Sequence, residues 1–381
     1  MTTPEICGEA APEYSGVKDA FARALAEREV GASVALYVEG EPAVHLWGGF
    51  CDRRRTVPWQ EDTMACTFSV SKGITAIALL TLIDESALDI DLPVVHYWPE
   101  FAGSKSSPIK QRVTVRQLMS HQAGLPGFRE TMPTGVYYDW SAIVAALEEE
   151  APWWSPGSRH GYHARTHGFL LGELFRRITG SHIGEWMRMR WPELDFYIGL
   201  QSHQYSRCAQ MLPARMRIGD TDTGNNALLA AMRKPHSATW AAFSNPTLGS
   251  GYMNKPEFRG SHMPAVSGHG TAVALAGLYG RIDDYLSSAV LAEACRPHCS
   301  GRDEVLLTDT CFGLGFMLPG GSEPFGVGET SFGHAGAGGS IAFGDLERRL
   351  GFAFVMNQME GGVISGGRSV AELVRYVVRI D

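Results

Sequence analysis

Ser69 and Lys72 stand three residues apart at the mouth of a long apolar run, residues 74–83. In a helix that spacing stacks them on one face, one turn apart. A serine hydroxyl needs a base beside it before it can act as a nucleophile. A lysine is that base only where burial or nearby cations make its ammonium unstable. The pattern S-x-x-K occurs three times, at Ser15/Lys18, Ser69/Lys72 and Ser107/Lys110. The first precedes a charged amphipathic segment, and the third holds Pro108 in a loop rich in Ser and Lys. Only Ser69 opens a helix that is apolar nearly all round, the mark of a buried element. Lysine is scarce, six of 33 basic residues, so one placed there is not spent on solubility. On local sequence a second reading stays open, with Ser69 as a helix N-cap and Lys72 reaching out to solvent.

The elements around this pair follow from periodicity and breakers. Residues 17–30 read as an amphipathic helix. Residues 32–38 and 43–50 read as strands of a hairpin turning at Glu39-Gly40-Glu41-Pro42. A helix runs over 69–85, after which Pro93 and Pro99 break the chain. Short helices follow at 113–120, capped by Thr114, at 141–150, and at 168–179 with Gly180 as C-cap. Residues 192–262 read as irregular, and 271–282 as a helix. Strands at 339–343 and 351–357 flank the polar turn 345–349, and a last helix starts at Ser369. Strands from both chain ends can complete one antiparallel sheet flanked by helices, an α/β (α+β) arrangement with a mainly helical second lobe. The expected division is a discontinuous sheet domain of 17–90 with 265–381, a helical lobe of 91–264, and an N-terminal extension of 1–16. A cleft between the lobes is the default binding site.

Composition narrows the function classes. The 381 residues are 44% hydrophobic and 19% charged, which suits a globular protein with a sizeable core. A net charge of −8 gives no footprint for nucleic acid or an anionic membrane. The seven cysteines are scattered and odd in number, so they read as reduced thiols of a cytoplasmic protein. Cys295, His298 and Cys299 lack a second pair at zinc-like spacing, so no metal site is expected. No cofactor motif appears, neither a phosphate-cradling lysine loop nor a dinucleotide fingerprint. No G-x-S-x-G elbow appears either. Residues 1–14 have no apolar stretch of a signal peptide, and no run is long enough to span a bilayer.

Further motifs follow in order. They are 115–125 (VRQLMSHQAGL), Pro156-Gly157 with Tyr162, Asn245-Pro246, and Gly333-His334-Ala335-Gly336-Ala337-Gly338-Gly339-Ser340. With Ser69-x-x-Lys72 in front, the series resembles the serine β-lactamase-related esterases, the family VIII carboxylesterases. These share a fold with class C β-lactamases and penicillin-binding DD-peptidases. The resemblance covers roughly residues 17–378. It implies Ser69 as the acylated nucleophile, Lys72 as holder of its proton, and Tyr162 as the relay to the leaving alkoxide, made a usable base by a nearby cation. It implies an oxyanion hole from the N–H groups of Ser69 and Ala337. His334, Ala335, Gly336 and Ala164 are then the substrate-binding positions.

Two departures from the β-lactamase pattern bear on specificity. Ala164 stands where those enzymes have an asparagine, and His334 where they have a lysine. Both changes remove groups that hold an anionic β-lactam, and histidine is mostly neutral at pH 7. The expected activity is hydrolysis of small to medium carboxylic esters through an acyl-enzyme, with a small-molecule ester as the only expected partner. The alternatives are an acyltransferase, an amidase or weak β-lactamase, and a non-catalytic binding protein on this fold. His121, His269 and Asn245 read as scaffold, while Trp153, Trp154, Tyr137, Tyr138 and Trp240 are candidates for an acyl pocket.

Overall fold

The structure, a computed structural model, describes residues 5–104, 107–214, 223–361 and 367–378. Its central sheet has six strands, in the spatial order Ile6–Ala10, Glu41–Gly49, Gly31–Val38, Leu350–Met356, Ile341–Asp345 and Ser331–Ala335. All neighbours are antiparallel. Strands from the two chain ends thus meet at the pairing of Gly31–Val38 with Leu350–Met356. Those two central strands are apolar and buried along almost their whole length, as a sheet covered on both faces requires. Glu41–Gly49 alternates buried and more exposed positions instead, which is the period of a strand with one face inward.

Helices cover both faces. Leu25, on the helix Ser15–Glu27, stands against Gly48, which pairs with Ala32. Tyr37 stands against Gly277 and Gly280 of the helix Ala272–Gly280. Ala32 and Tyr37 are an odd number of residues apart on one strand, so the two helices lie on opposite faces. The second helix approaches the sheet closely. A Cβ on Gly351 would stand 2.1 Å from the Ala276 carbonyl oxygen.

The chain start differs from the sequence expectation. Residues 1–16, an extension on sequence grounds, include Ile6–Ala10, the edge strand of this sheet. Its signal was hidden because only five residues pair and two of them are exposed. Ser331–Ala335 is a strand as well, so His334 sits within the sheet instead of ahead of it. The segment 192–262, irregular on sequence grounds, carries short elements, among them Phe196–Ile198, Ala238–Phe243 and Pro256–Arg259. Thr114 forms a capping box with Gln117, and Gly180 closes its helix in the left-handed conformation, φ 77°.

Among the described residues no helix is long and apolar enough to cross a membrane. All seven cysteines are free thiols.

Candidate active site

The helix Val70–Asp84 runs through the core, with thirteen of its fifteen residues buried. Its apolar sequence has no polar face, so neighbours cover it on all sides. Ser69 occupies the N-cap position, but its side chain caps nothing. Lys72 does not reach solvent and has no exposed surface. The N-cap and snorkelling readings therefore do not describe this pair. Lys72 Nζ lies 3.2 Å from Ser69 Oγ and donates to the carbonyl oxygens of Ala164 at 2.7 Å and Ala265 at 3.1 Å.

No carboxylate pairs with Lys72 among the described residues. Burial, and next the positive charge of Arg165, hold its pKa well below the ordinary lysine value. Four histidines surround this ammonium closely enough to feel its charge: His121, His163, His167 and His334. Burial drives all four toward the neutral form, His163 to about 4 and His334 to about 3. A neutral amine beside a serine hydroxyl is a competent base.

Lys110, of the third S-x-x-K pair, is buried as well, with its pKa lowered to about 8 by desolvation. Its ammonium donates to the carbonyls of Leu147 and Glu148, at the end of the helix Trp140–Glu149, within reach of three glutamates. That is a helix C-cap, and the surrounding acids favour its charged form.

A strained turn presents Ser69. Phe68 takes φ +47°, a left-handed conformation that a bulky side chain rarely adopts. Three polar contacts hold the turn. Ser71 Oγ donates to the Phe68 carbonyl, Thr67 N donates to the Gly268 carbonyl at 2.9 Å, and Gly268 N donates to Ser71 Oγ at 3.0 Å. Ser340 Oγ donates to the Thr67 carbonyl at 2.9 Å, which ties the run 336–340 to the same turn. Neither the Ser69 nor the Ala337 backbone N–H donates to a hydrogen bond among the described residues. Both stay available, as an oxyanion hole needs.

Tyr162 is buried with its ring 4.7 Å from Lys72 Nζ. Burial raises the pKa of its phenol above the usual tyrosine value. Ser69 opposes that push without forming a hydrogen bond of good geometry. The direction is opposite to that of a phenol beside a cation, because desolvation is its largest cause. Asp303, which nothing in the sequence signalled, anchors Tyr162. The buried Asp303 carboxylate accepts from the N–H groups of Tyr162, Val305 and Leu306. Tyr162 also stacks on Phe312, ring centroids 6.1 Å apart, and lies 6.3 Å from Phe243.

The expected substrate-binding positions lie deeper than a cleft lining. Ala164, His334, Ala335 and Gly336 are all buried, and only Ala337 of that run is partly exposed. Ala164 contributes its carbonyl to Lys72. His334 donates Nδ1–H to the Ala335 carbonyl at 2.7 Å, which leaves Nε2 as an unpaired acceptor. Asn245 holds the loop 128–132 through the Met132 N–H and the Phe128 and Glu130 carbonyls. His121 accepts the His163 N–H at Nδ1. His298 bonds Arg116 and the Glu293 carbonyl, and Cys299 the Ser120 carbonyl. No cluster of three or more His, Cys, Asp or Glu side chains able to hold a metal occurs among the described residues.

A mixed fold that brings a buried Ser, Lys and Tyr together has the architecture of the serine beta-lactamase and DD-peptidase class. The chain belongs to the beta-lactamase family, whose family model matches residues 17–375. It is similar to the Esterase/beta-lactamase LipL of Mycobacterium tuberculosis, 30% identical over 370 residues, covering 93% of this chain and 83% of that protein. Among solved structures it resembles a family VIII carboxylesterase, with a TM-score of 0.86, 35% identity and 98% of each chain covered. A penicillin-binding protein homologue from Caulobacter crescentus is similar at TM-score 0.86 and 34% identity, covering 98% of this chain and 99% of that one.

Proposed function

We propose that the protein is a carboxylesterase that works through an acyl-enzyme on Ser69. The observation that carries this reading is the contact of Ser69 Oγ with Lys72 Nζ, 3.2 Å, in a buried setting where no carboxylate pairs with the lysine among the described residues. The esterases among its relatives support the choice of ester over other acyl substrates.

The neutral Lys72 amine takes the Ser69 hydroxyl proton as Oγ attacks the ester carbonyl carbon. The N–H groups of Ser69 and Ala337 hold the oxyanion of the tetrahedral intermediate, where one such donor contributes about 3–4 kcal/mol. The intermediate collapses by breaking the bond to the leaving alkoxide. Tyr162 gives that alkoxide its proton and recovers one from the Lys72 ammonium. Water then loses a proton to the Lys72 and Tyr162 pair as it attacks the acyl carbon; the second tetrahedral intermediate collapses by breaking the bond to Ser69 Oγ, which takes that proton back as the acid leaves.

The test is labelling with a fluorophosphonate probe, mass mapping of the label, and p-nitrophenyl butyrate hydrolysis by the wild type and Ser69→Ala. The expected result is a single label on Ser69 and loss of both label and turnover in the variant. A label on Ser15 or Ser107, or turnover retained in Ser69→Ala, overturns the reading.

A further inference from the structure

Arg165 follows Ala164, whose carbonyl holds Lys72, and among the described residues its charge is the one cation that acts on that lysine. Arg165 is a partly exposed residue, and its guanidinium pairs with no carboxylate among the described residues. One hydrogen bond, NH1 to the Pro246 carbonyl at 2.6 Å, uses part of its fork of donors. The guanidinium lies over the Tyr137 ring, 5.4 Å from the centroid. Most partly buried arginines of this chain bind acids instead. Arg116 pairs with Asp91 and Glu293, Arg177 with Glu100, Glu148 and Glu173, and Arg207 with Asp62 and Asp195.

A second observation points the same way. The Tyr137 hydroxyl, on a side chain only 1% exposed, has the Arg165 guanidinium as its one polar neighbour among the described residues and makes no other hydrogen bond. The Tyr138 hydroxyl is also buried and unpaired and feels the same guanidinium. Tyr252 is a third phenol within that field. Glu257 acts on Tyr138, but it forms no ion pair with Arg165. A cation with spare donors beside two buried hydroxyls that have no other partner among the described residues has the chemistry of an anion subsite. A guanidinium fork matches a carboxylate bidentately, and phenol hydroxyls supply further donors.

We propose that Arg165, with Tyr137 and Tyr138, binds a carboxylate carried by the substrate, so that the preferred ester is a monoanion. This rests on the esterase reading and names its substrate class. The positive charge absent at His334 is supplied from the other motif, one residue beyond Ala164. Part of the driving force is the missing counter-ion, since binding pairs a half-buried cation that otherwise stays unpaired.

The test is a ratio of catalytic efficiencies at fixed pH and ionic strength. Mono-p-nitrophenyl adipate is compared with p-nitrophenyl hexanoate for a carboxylate on the acyl side. 4-Acetoxybenzoate is compared with phenyl acetate for one on the leaving side. In the wild type the anionic member of at least one pair is expected to lead in kcat/KM. In Arg165→Met and in Arg165→Gln, which can still donate to Pro246, that lead is expected to fall at least about tenfold, mainly through KM. Arg165→Lys retains part of it. Arg165 also acts on Lys72, so both substrates are expected to lose rate at low pH in the variants, and the ratio removes that common loss. A purely structural arginine would lower both members alike. An unchanged ratio for both pairs, or no anionic preference in the wild type, overturns the proposal while esterase activity stands. Absence of hydrolysis with every ester in the wild type overturns the esterase reading itself.

Discussion

Gly336 lies against the Thr67 carbonyl so closely that a Cβ on it would stand 2.2 Å from that oxygen. The same Cβ would stand 2.2 Å from Ser340 Oγ, the group that bonds this carbonyl. Two turns, one presenting Ser69 and the other Ala337, are thus locked at a distance set by a missing side chain. Gly336→Ala is expected to push Ala337 away from Ser69 and lower kcat about a hundredfold, with little change in KM. Circular dichroism should stay native. Retention of wild-type kcat would show that the Ala337 N–H does not hold the oxyanion.

Lys72 and Tyr162 share one proton path in the proposed reaction. Groups acting as a unit are non-additive when removed. Lys72→Ala and Tyr162→Phe are each expected to lose at least about a thousandfold in kcat, and the double variant little more than the poorer single one. If the two losses multiply in single-turnover kinetics, the residues act independently.

The buried histidines make stability depend on pH. His163 and His269 have folded pKa values of about 4 and His334 of about 3, against 6.5 for a free imidazole. His121 and His167 are shifted the same way. Below pH 6.5 the unfolded chain takes up protons that the folded chain refuses. Stability is therefore full above pH 6.5 and lost as pH falls toward 4, by up to about 1.4 kcal/mol per histidine per unit. Thermal melts at pH 7.5 and pH 5 should differ by at least about 5 °C. The Ser69→Ala variant should show the same drop, because the effect does not pass through catalysis. A flat melting temperature across that range would mean that these imidazoles are solvated.

Penicillins and cephalosporins are expected to turn over at least about tenfold less efficiently than neutral p-nitrophenyl esters. Ala164 offers a β-lactam amide no side-chain partner, and an unmatched polar group costs about 1–3 kcal/mol in a closed site. His334→Lys alone is not expected to restore that activity. The position is fully buried near Lys72, and a second amine there would lose its proton rather than serve a carboxylate. Steady-state kinetics on nitrocefin and p-nitrophenyl butyrate, for the wild type and this variant, decide it.

Much of this protein was legible in the order of its residues. The apolar run after Ser69 marked a buried helix because no face of it could meet water. The hairpin at Glu39-Gly40 and the caps at Thr114 and Gly180 followed from local backbone preferences, which act over a few residues and need no partner. The order of motifs placed Ser69, Lys72 and Tyr162 in one family pattern. Other features depended on residues far apart in the chain. The low pKa of Lys72 comes from burial and then from the charge of Arg165, with no carboxylate paired to it among the described residues. Burial pushes the Tyr162 phenol pKa up, opposite to the direction that a nearby cation gives. Asp303 reaches Tyr162 across 141 residues, and Ser340 reaches Thr67 across 273. Composition and periodicity report which segments are buried. Desolvation and charge act through space, so the state of each buried group was set only when the fold brought its neighbours together.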